Sequence, residues 1–369
     1  MSKKVIYIVI IATFLLVITI LYNLYAANKE NSIYSSIKKY TKNKKELKLT
    51  IGIFKEGKTN FKVFGTDGKN LEKLEYDYEI GSISKTFTAS ILCKAIDEGL
   101  IDLNKSISTY LPLDSNEFYP SILSLATHTS GYGEYPFGTA DLSEEEIQKM
   151  EHDFNEKKIN IYKGINKNEV LLKIKSNILK EKEYNWEYSN FGVAVLGTVI
   201  EEIYKKPYKV TAENFLKNDL GLNNTKIGNG RGNLKSYWNW NSDDVYIATG
   251  GYVSTVTDLL KYGEMHLNNS PKYFELSHKI YKNFKNEEIS MGLGWIIDTE
   301  NNYLWHNGST SFYQSFIGID KKSNSVVVVL SNYSEIENEK DEDAVDILGY
   351  LLLNKLRDKS INEKNIFNK

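Results

Sequence analysis

The sequence predicts a mixed α/β (α+β) domain with a mainly antiparallel sheet built from both termini. Helices flank the sheet, a helical insertion subdomain interrupts it, and an N-terminal transmembrane helix precedes it. Three observations predict this: an uncharged apolar run opens the chain, alternating apolar and polar stretches stand near both ends of the remaining residues, and helical spacing dominates between them. The expected divisions are a short basic N-terminus at 1–4, a transmembrane anchor (or signal peptide) at 5–27, a polar stalk at 28–45, a globular domain at 46–357 and a polar tail at 358–369.

The opening run, "VIYIVIIATFLLVITILYNLYAAN" from Val5, carries no charge before Lys29 and is long enough to cross a bilayer as a helix. A cleaved signal peptide is the rival reading. The run exceeds a typical signal core, and Tyr25-Ala26-Ala27 is a poor small-x-small cleavage site. No cysteine lies near its end, which excludes a lipoprotein anchor, so an uncleaved anchor is the preferred reading. Lys3 and Lys4 argue for an inside N-terminus, whereas Lys38, Lys39, Lys42, Lys44 and Lys45 after the span argue the opposite way.

The elements of the domain come in order. "ELKLTIGIFKEGKTNFKVFGTDGKN" alternates around Glu56-Gly57-Lys58 and predicts a β-hairpin. After Ser82 the pattern turns helical, with Phe87, Ile91, Leu92 and Ala95 on one face and Gly99 as the stop. Residues 100–222 read as helices broken by loops, the clearest being "FGVAVLGTVIEEIYKK", ended by Pro207. Strands return in "MGLGWIIDTENNYLWHNG" and "SFIGIDKKSNSVVVVLSNYS", and "DAVDILGYLLLNKLRDK" closes the domain as an amphipathic helix. "GNGRGN" at Gly228 has no flanking strand and helix, so it reads as a loop and not a nucleotide fingerprint.

Composition bounds the function. The 369 residues hold 46 basic and 48 acidic side chains, so no basic field points to a nucleic-acid partner. A single cysteine, Cys93, rules out an internal disulfide framework and reads as a buried core thiol. The five histidines, His128, His152, His266, His278 and His306, show no metal-ligand spacing, and no cofactor is expected. The acidic "SEEEIQKMEHDFNEKK" reads as a solvated helix face.

Three short patterns can carry chemistry. Ser82-Ile83-Ser84-Lys85 has S-x-x-K spacing, which on a helix puts the Ser82 hydroxyl and the Lys85 amine on one face. A serine hydroxyl needs a neighbouring base to become a nucleophile, and lysine can be one where burial disfavours its charge. Ser84 would point away. The same spacing recurs at Ser35 with Lys38 and at Ser36 with Lys39, so a helix N-cap is the competing reading of Ser82. Tyr188-Ser189-Asn190 leads into an apolar helix, where a tyrosine can pass a proton to a leaving group and an asparagine amide can hold a carbonyl. His306-Asn307-Gly308 ends a strand run: histidine supplies charge or a hydrogen bond, and glycine lets a substrate approach the strand.

In this order the three patterns resemble the serine β-lactamase-like superfamily of class C β-lactamases, penicillin-binding D-alanyl-D-alanine carboxypeptidases and related esterases. "LSLATHTSGYGEYP", "TGGYVSTVTDLLKYGEMH" and "GLIDLNKSISTYLP" also look like family segments, so the resemblance spans 46–357. It implies that Ser82 attacks and is acylated, that Lys85 and Tyr188 share proton transfer, and that Asn190 binds the acyl side-chain amide. It further implies that His306, Asn307 and Gly308 line the substrate site. The Ser82 and Ser309 backbone N–H groups would form the oxyanion hole, each such donor being worth about 3–4 kcal/mol. The sequence departs from the family at His306, where β-lactamases usually carry lysine, at Asn307 in place of threonine or serine, and at Phe312 in place of a common glycine. Tyr135, Phe137, Trp238 and Trp240 are candidates for aromatic walls or for core packing.

The function this implies is a membrane-anchored, outward-facing serine hydrolase. It would act through an acyl-Ser82 intermediate on D-alanyl amides or esters of the cell envelope, in peptidoglycan stem peptides or D-alanylated polymers. β-Lactams would be acylating ligands. A β-lactamase is the alternative within the enzymes, and a non-catalytic penicillin-binding or sensor domain is the alternative from another class.

Overall fold

The computed structural model describes residues 33–133, 143–284, 289–334 and 345–367. The expected basic N-terminus and transmembrane anchor, with Tyr135 and Phe137, lie outside the described residues. Among the described residues no helix is long and apolar enough to cross a membrane.

The strands are β1 (Leu49–Lys55), β2 (Lys58–Phe64), β3 (Tyr78–Glu79), β4 (Lys226–Ile227), β5 (Tyr252–Ser254), β6 (Lys282–Phe284), β7 (Ile289–Met291), β8 (Ile296–Asp298), β9 (Tyr303–Ser309), β10 (Gln314–Asp320) and β11 (Ser325–Ser331). Eight form one sheet in the order β2-β1-β11-β10-β9-β8-β7-β6. Each neighbouring pair is antiparallel. The expected hairpin closes at Glu56 and Gly57, both at positive φ, which suits a two-residue turn between twisted strands. β1 then pairs along its whole length with β11, so the sheet joins the two ends of the domain as expected.

Both faces of the sheet are covered, which explains the unbroken apolar run of β11. Val326, Val328 and Leu330 share a core with Phe87 and Leu92 of the Ser84–Asp97 helix and with Leu259 of the Val256–Leu267 helix. Val327 and Val329 face the Val345–Leu356 helix. Between β3 and β6 lie the helices Ile122–Ala126, Glu144–Asn155, Lys167–Ser176, Asn190–Tyr204 and Tyr208–Asn214, the expected insertion. The small sheet β3-β5-β4 was not legible in the sequence, because its strands span only two or three residues.

The expected stalk is partly docked. Ile33–Tyr40 is a helix whose Ile33, Ile37 and Tyr40 are buried against the face that holds the Val345–Leu356 helix. The tail behaves alike: Phe367 is buried and packs on Phe64 with ring centroids 5.9 Å apart.

Candidate active site

The Ser84–Asp97 helix is buried on nearly every side, with Phe87 stacked on Tyr262 and Tyr252 at 4.0 and 5.1 Å. A single tight turn, Gly81–Ile83, feeds it from β3. Gly81 has φ +47°, and a side chain there would strike the Ser309 backbone, its nitrogen only 2.6 Å away. On the facing strand, a Cβ on Gly308 would sit 2.7 Å from Ser82 N and closer still to Ile80 O. The two glycines therefore let the turn and β9 pack backbone to backbone, which brings the Ser82 and Ser309 N–H groups to one corner. Ser315 Oγ adds a bond to Ile80 O at 2.8 Å, tying β10 to the same turn.

Ser82 is not the helix cap. Ile83 occupies the cap position, with no side-chain cap bond. Lys85 Nζ instead donates to Ser82 Oγ at 2.9 Å and to the Thr249 carbonyl at 2.8 Å. Lys85 is 2% exposed, and its Nζ lies 5.0 Å from the centre of the Tyr188 ring. Serine hydroxyl and lysine amine, one turn apart, are thus brought against a tyrosine from a distant segment. Ser84 points away as expected, accepting from Tyr252 N–H at 3.2 Å.

Tyr188 is held by a residue not predicted for the site. His128 lies against the Tyr188 ring with centroids 4.7 Å apart, and its Nδ1 accepts from Ser189 N–H at 3.1 Å. Its carbonyl accepts from Glu187 N–H at 2.9 Å, so one residue grips three in succession. Ser189 caps the Asn190–Tyr204 helix through Gly192 N–H at 2.7 Å. Asn190, at the first helical position, donates from Nδ2 to Tyr162 OH at 3.2 Å. The signal for His128 stood in the quoted "LATHTSG" stretch, but nothing in the spacing said that its ring would meet Tyr188.

β9 settles the third pattern. His306 and Asn307 are neighbours on a strand and so point to opposite faces. His306 is 1% exposed, and its Nδ1 donates to the Asn307 carbonyl at 2.6 Å. Burial, then the charge of Lys85, lowers its pKa to about 3, so the ring is neutral and supplies no positive charge. Its Nε2 is buried with no hydrogen-bond partner among the described residues. Burial and Lys85 act on His128 in the same way, also to about 3. Two expectations are corrected here. The Asn307 side chain turns to the far face and donates to Asp346 Oδ2 at 2.8 Å, so only its backbone serves the site. Gly308 makes room for the Ser82 turn, which fills the space that a side chain would take.

Of the candidate wall residues, the two tryptophans, Trp238 and Trp240, are packed into the core, 5% and 7% exposed. Trp238 packs edge-on to Phe154 and Tyr162, and Ser311 Oγ donates to the Phe154 carbonyl at 2.9 Å. The acidic helix Glu144–Asn155, read as a solvated face, thus also touches the β9–β10 turn with its last residues. Phe312 is half-buried within that turn.

The chain is similar to known proteins in sequence and in fold. A model of the family described as Beta-lactamase matches residues 42–351. A β-lactamase of Providencia stuartii is 27% identical over 238 residues, 60% of this chain and 56% of that protein. Protein flp of Staphylococcus aureus (strain MRSA252) is 24% identical over 284 residues, 69% of this chain and 52% of its own length. The chain thus spans about half the length of the curated relatives it matches. Among solved structures, a β-lactamase/D-alanine carboxypeptidase from Yersinia pestis superposes with a TM-score of 0.66 at 17% identity, covering 87% of this chain and 95% of that one. The octameric penicillin-binding protein homologue from Pyrococcus abyssi gives 0.65 at 20% identity, covering 92% and 77%. At these identities the superpositions show the fold.

Proposed function

The chain belongs to the β-lactamase family, and from that premise we propose that it is a membrane-anchored, outward-facing serine hydrolase acting on D-alanyl groups of the cell envelope. One observation carries the reading: Lys85 Nζ stands 2.9 Å from Ser82 Oγ while a second bond, to Thr249 O, holds it in place. The Ser82 hydroxyl proton passes to the Lys85–Tyr188 pair as Oγ attacks the acyl carbonyl carbon. The oxygen that gains charge is held by the Ser82 and Ser309 N–H groups. The same pair returns the proton to the leaving group, and water then cleaves the acyl-serine. A purely binding role leaves this buried lysine–serine contact without a use.

His306 bears on the leaving group. Its donor is engaged by the Asn307 carbonyl and its ring is neutral, so a terminal carboxylate finds no ion pair there. A D-alanyl ester therefore ranks above a peptide ending in D-alanine. The Yersinia pestis structure is described as a β-lactamase/D-alanine carboxypeptidase, and the D-alanyl class is carried to this chain by analogy. The apolar run at 5–27 supplies the anchor in this reading.

Turnover of a D-alanyl ester, a D-Ala-D-Ala peptide and a β-lactam by the full chain tests this. The ester should show the highest kcat/KM, with the β-lactam forming a long-lived adduct. Rapid β-lactam turnover would make the chain a β-lactamase instead, and Ser82→Ala retaining wild-type turnover would remove the mechanism.

A further inference from the structure

Glu79 is a buried carboxylate close to the Ser82 turn. It stands in β3, three residues before Ser82, and is 3% exposed. Its two oxygens serve two other segments. Oε2 accepts from the Thr310 hydroxyl at 2.7 Å, and Oε1 accepts from the Trp238 backbone N–H. Among the described residues no lysine or arginine forms a salt bridge with it.

The position of Thr310 gives this contact its meaning. Thr310 directly follows Ser309, and its Oγ1 also accepts from Phe312 N–H at 3.3 Å and Tyr313 N–H at 3.2 Å. One hydroxyl thus organises the β9–β10 turn, and Glu79 orients that hydroxyl. Through Trp238 the same carboxylate holds the loop whose indole packs on Phe154 and Tyr162, and Tyr162 in turn accepts from Asn190.

We propose that the Glu79 carboxylate is a positioning residue for acyl transfer: it fixes the turn at 309–313, and hence the Ser309 N–H, against the Ser82 turn, and through Trp238 it steadies the loop that packs on Tyr162. This rests on the reading of Ser82 as the nucleophile. A carboxylate accepts at both oxygens, whereas its protonated form must turn one oxygen into a donor and so loses one of the two holds. Oxyanion donors act only when held in place before reaction, so a loosened turn slows the chemical step more than binding.

Protonation is within reach. Burial raises the Glu79 carboxyl to about 7, opposed by the Thr310 and Trp238 bonds. The titratable groups facing it are phenols, Tyr237 from the Trp238 loop and Tyr313 from the β9–β10 turn, and next along its own strand is Tyr78, edge-on to Tyr313 at 6.0 Å. All three have their pKa values raised by burial, so they stay neutral while Glu79 titrates.

The test uses the full chain, a chromogenic ester and a fluorescent penicillin, between pH 5.5 and 9. At pH 8, Glu79→Gln should lower kcat about tenfold with KM within about twofold, since an amide cannot accept from both donors. The wild-type acid limb should contain a one-proton step near pH 7 that Glu79→Gln abolishes. Thr310→Val should match the loss and Thr310→Ser restore the rate, which keeps the proposal open to refutation if Glu79→Gln does not fold. The double variant Glu79→Gln/Thr310→Val should be no slower than either single one. If wild type labels at Ser82 but Glu79→Gln and Thr310→Val keep its kcat and pH profile, the positioning role fails alone. If wild type does not label at Ser82, both readings fall.

Discussion

Gly308→Ala puts the packing of the active-site corner to the test. The added methyl would sit 2.7 Å from Ser82 N and 2.8 Å from Ser315 Oγ, and closer still to the Ile80 carbonyl. Two of these are backbone atoms of the nucleophile turn, so a rotamer change cannot relieve them. β9 must move off the turn by about 1 Å, and a shift of that size at a reacting centre costs on the order of 100-fold in rate. Overpacking of this kind costs about 1–3 kcal/mol of stability, a Tm loss of several degrees. Gly250→Ala is the control: its Cβ would lie 3.9 Å from Gly81 C, an ordinary contact beside the same turn. The assay is the acylation rate by fluorescent penicillin under single-turnover conditions, with Tm read in parallel. Gly308→Ala should acylate about 100-fold more slowly and Gly250→Ala within about threefold of wild type. A folded Gly308→Ala protein acylating within twofold of wild type would refute the backbone-to-backbone packing.

His128→Asn retains a side chain that tolerates the φ of +57° but removes the ring from Tyr188, so acylation should fall about tenfold, checked by the same single-turnover assay. Acid should destabilise the fold: His128, His278 and His306 all drop from 6.5 to about 3, so the unfolded chain takes up protons that the folded chain refuses. At pH 5 each costs about 2 kcal/mol, while Glu79, raised to about 7, works in the opposite sense and returns about 2.5. His266, held well below its usual value by burial, adds to the loss, so denaturant melts should show a net loss of stability between pH 8 and pH 5, and no loss would contradict the neutral imidazoles. Lys55→Met removes a buried ammonium that donates to the Leu356, Asp358 and Ile361 carbonyls at 2.7, 3.2 and 2.6 Å. It should cost about 2–4 kcal/mol in a melt and leave acylation unchanged, because these bonds close the end of the C-terminal helix and involve no residue of the Ser82 turn.

Legibility in the sequence tracked periodicity. β1, β2, β10 and β11 have seven residues each, long enough for alternation or an apolar run to show, and the sheet from both termini could be read from them. The two- and three-residue strands of the small sheet carry no period, so β3-β5-β4 could not. In the site, Ser82 and Lys85 were visible because they share one helical turn. Asn307 was misplaced because the sequence alone did not fix which face of β9 it occupies: His306 turns to the lysine side, and the alternation then sends Asn307 to Asp346. Gly308 was read as space for substrate because its neighbour across the strand, the Ile80–Ser82 backbone, is distant in sequence. Thr249 and Glu79 act through contacts that no local pattern records: a backbone carbonyl to Lys85, and a carboxylate to Thr310.

The measurement that bears most directly on Ser82 as nucleophile and Lys85 as its partner is peptide mass spectrometry after brief exposure of the full chain to a fluorescent penicillin, with Ser82→Ala and Lys85→Ala alongside. One adduct should appear on the peptide containing Ser82 and none in Ser82→Ala, with labelling slowed by orders of magnitude in Lys85→Ala. An adduct on any other residue, or equal labelling of wild type and Lys85→Ala, would contradict the acyl-Ser82 mechanism.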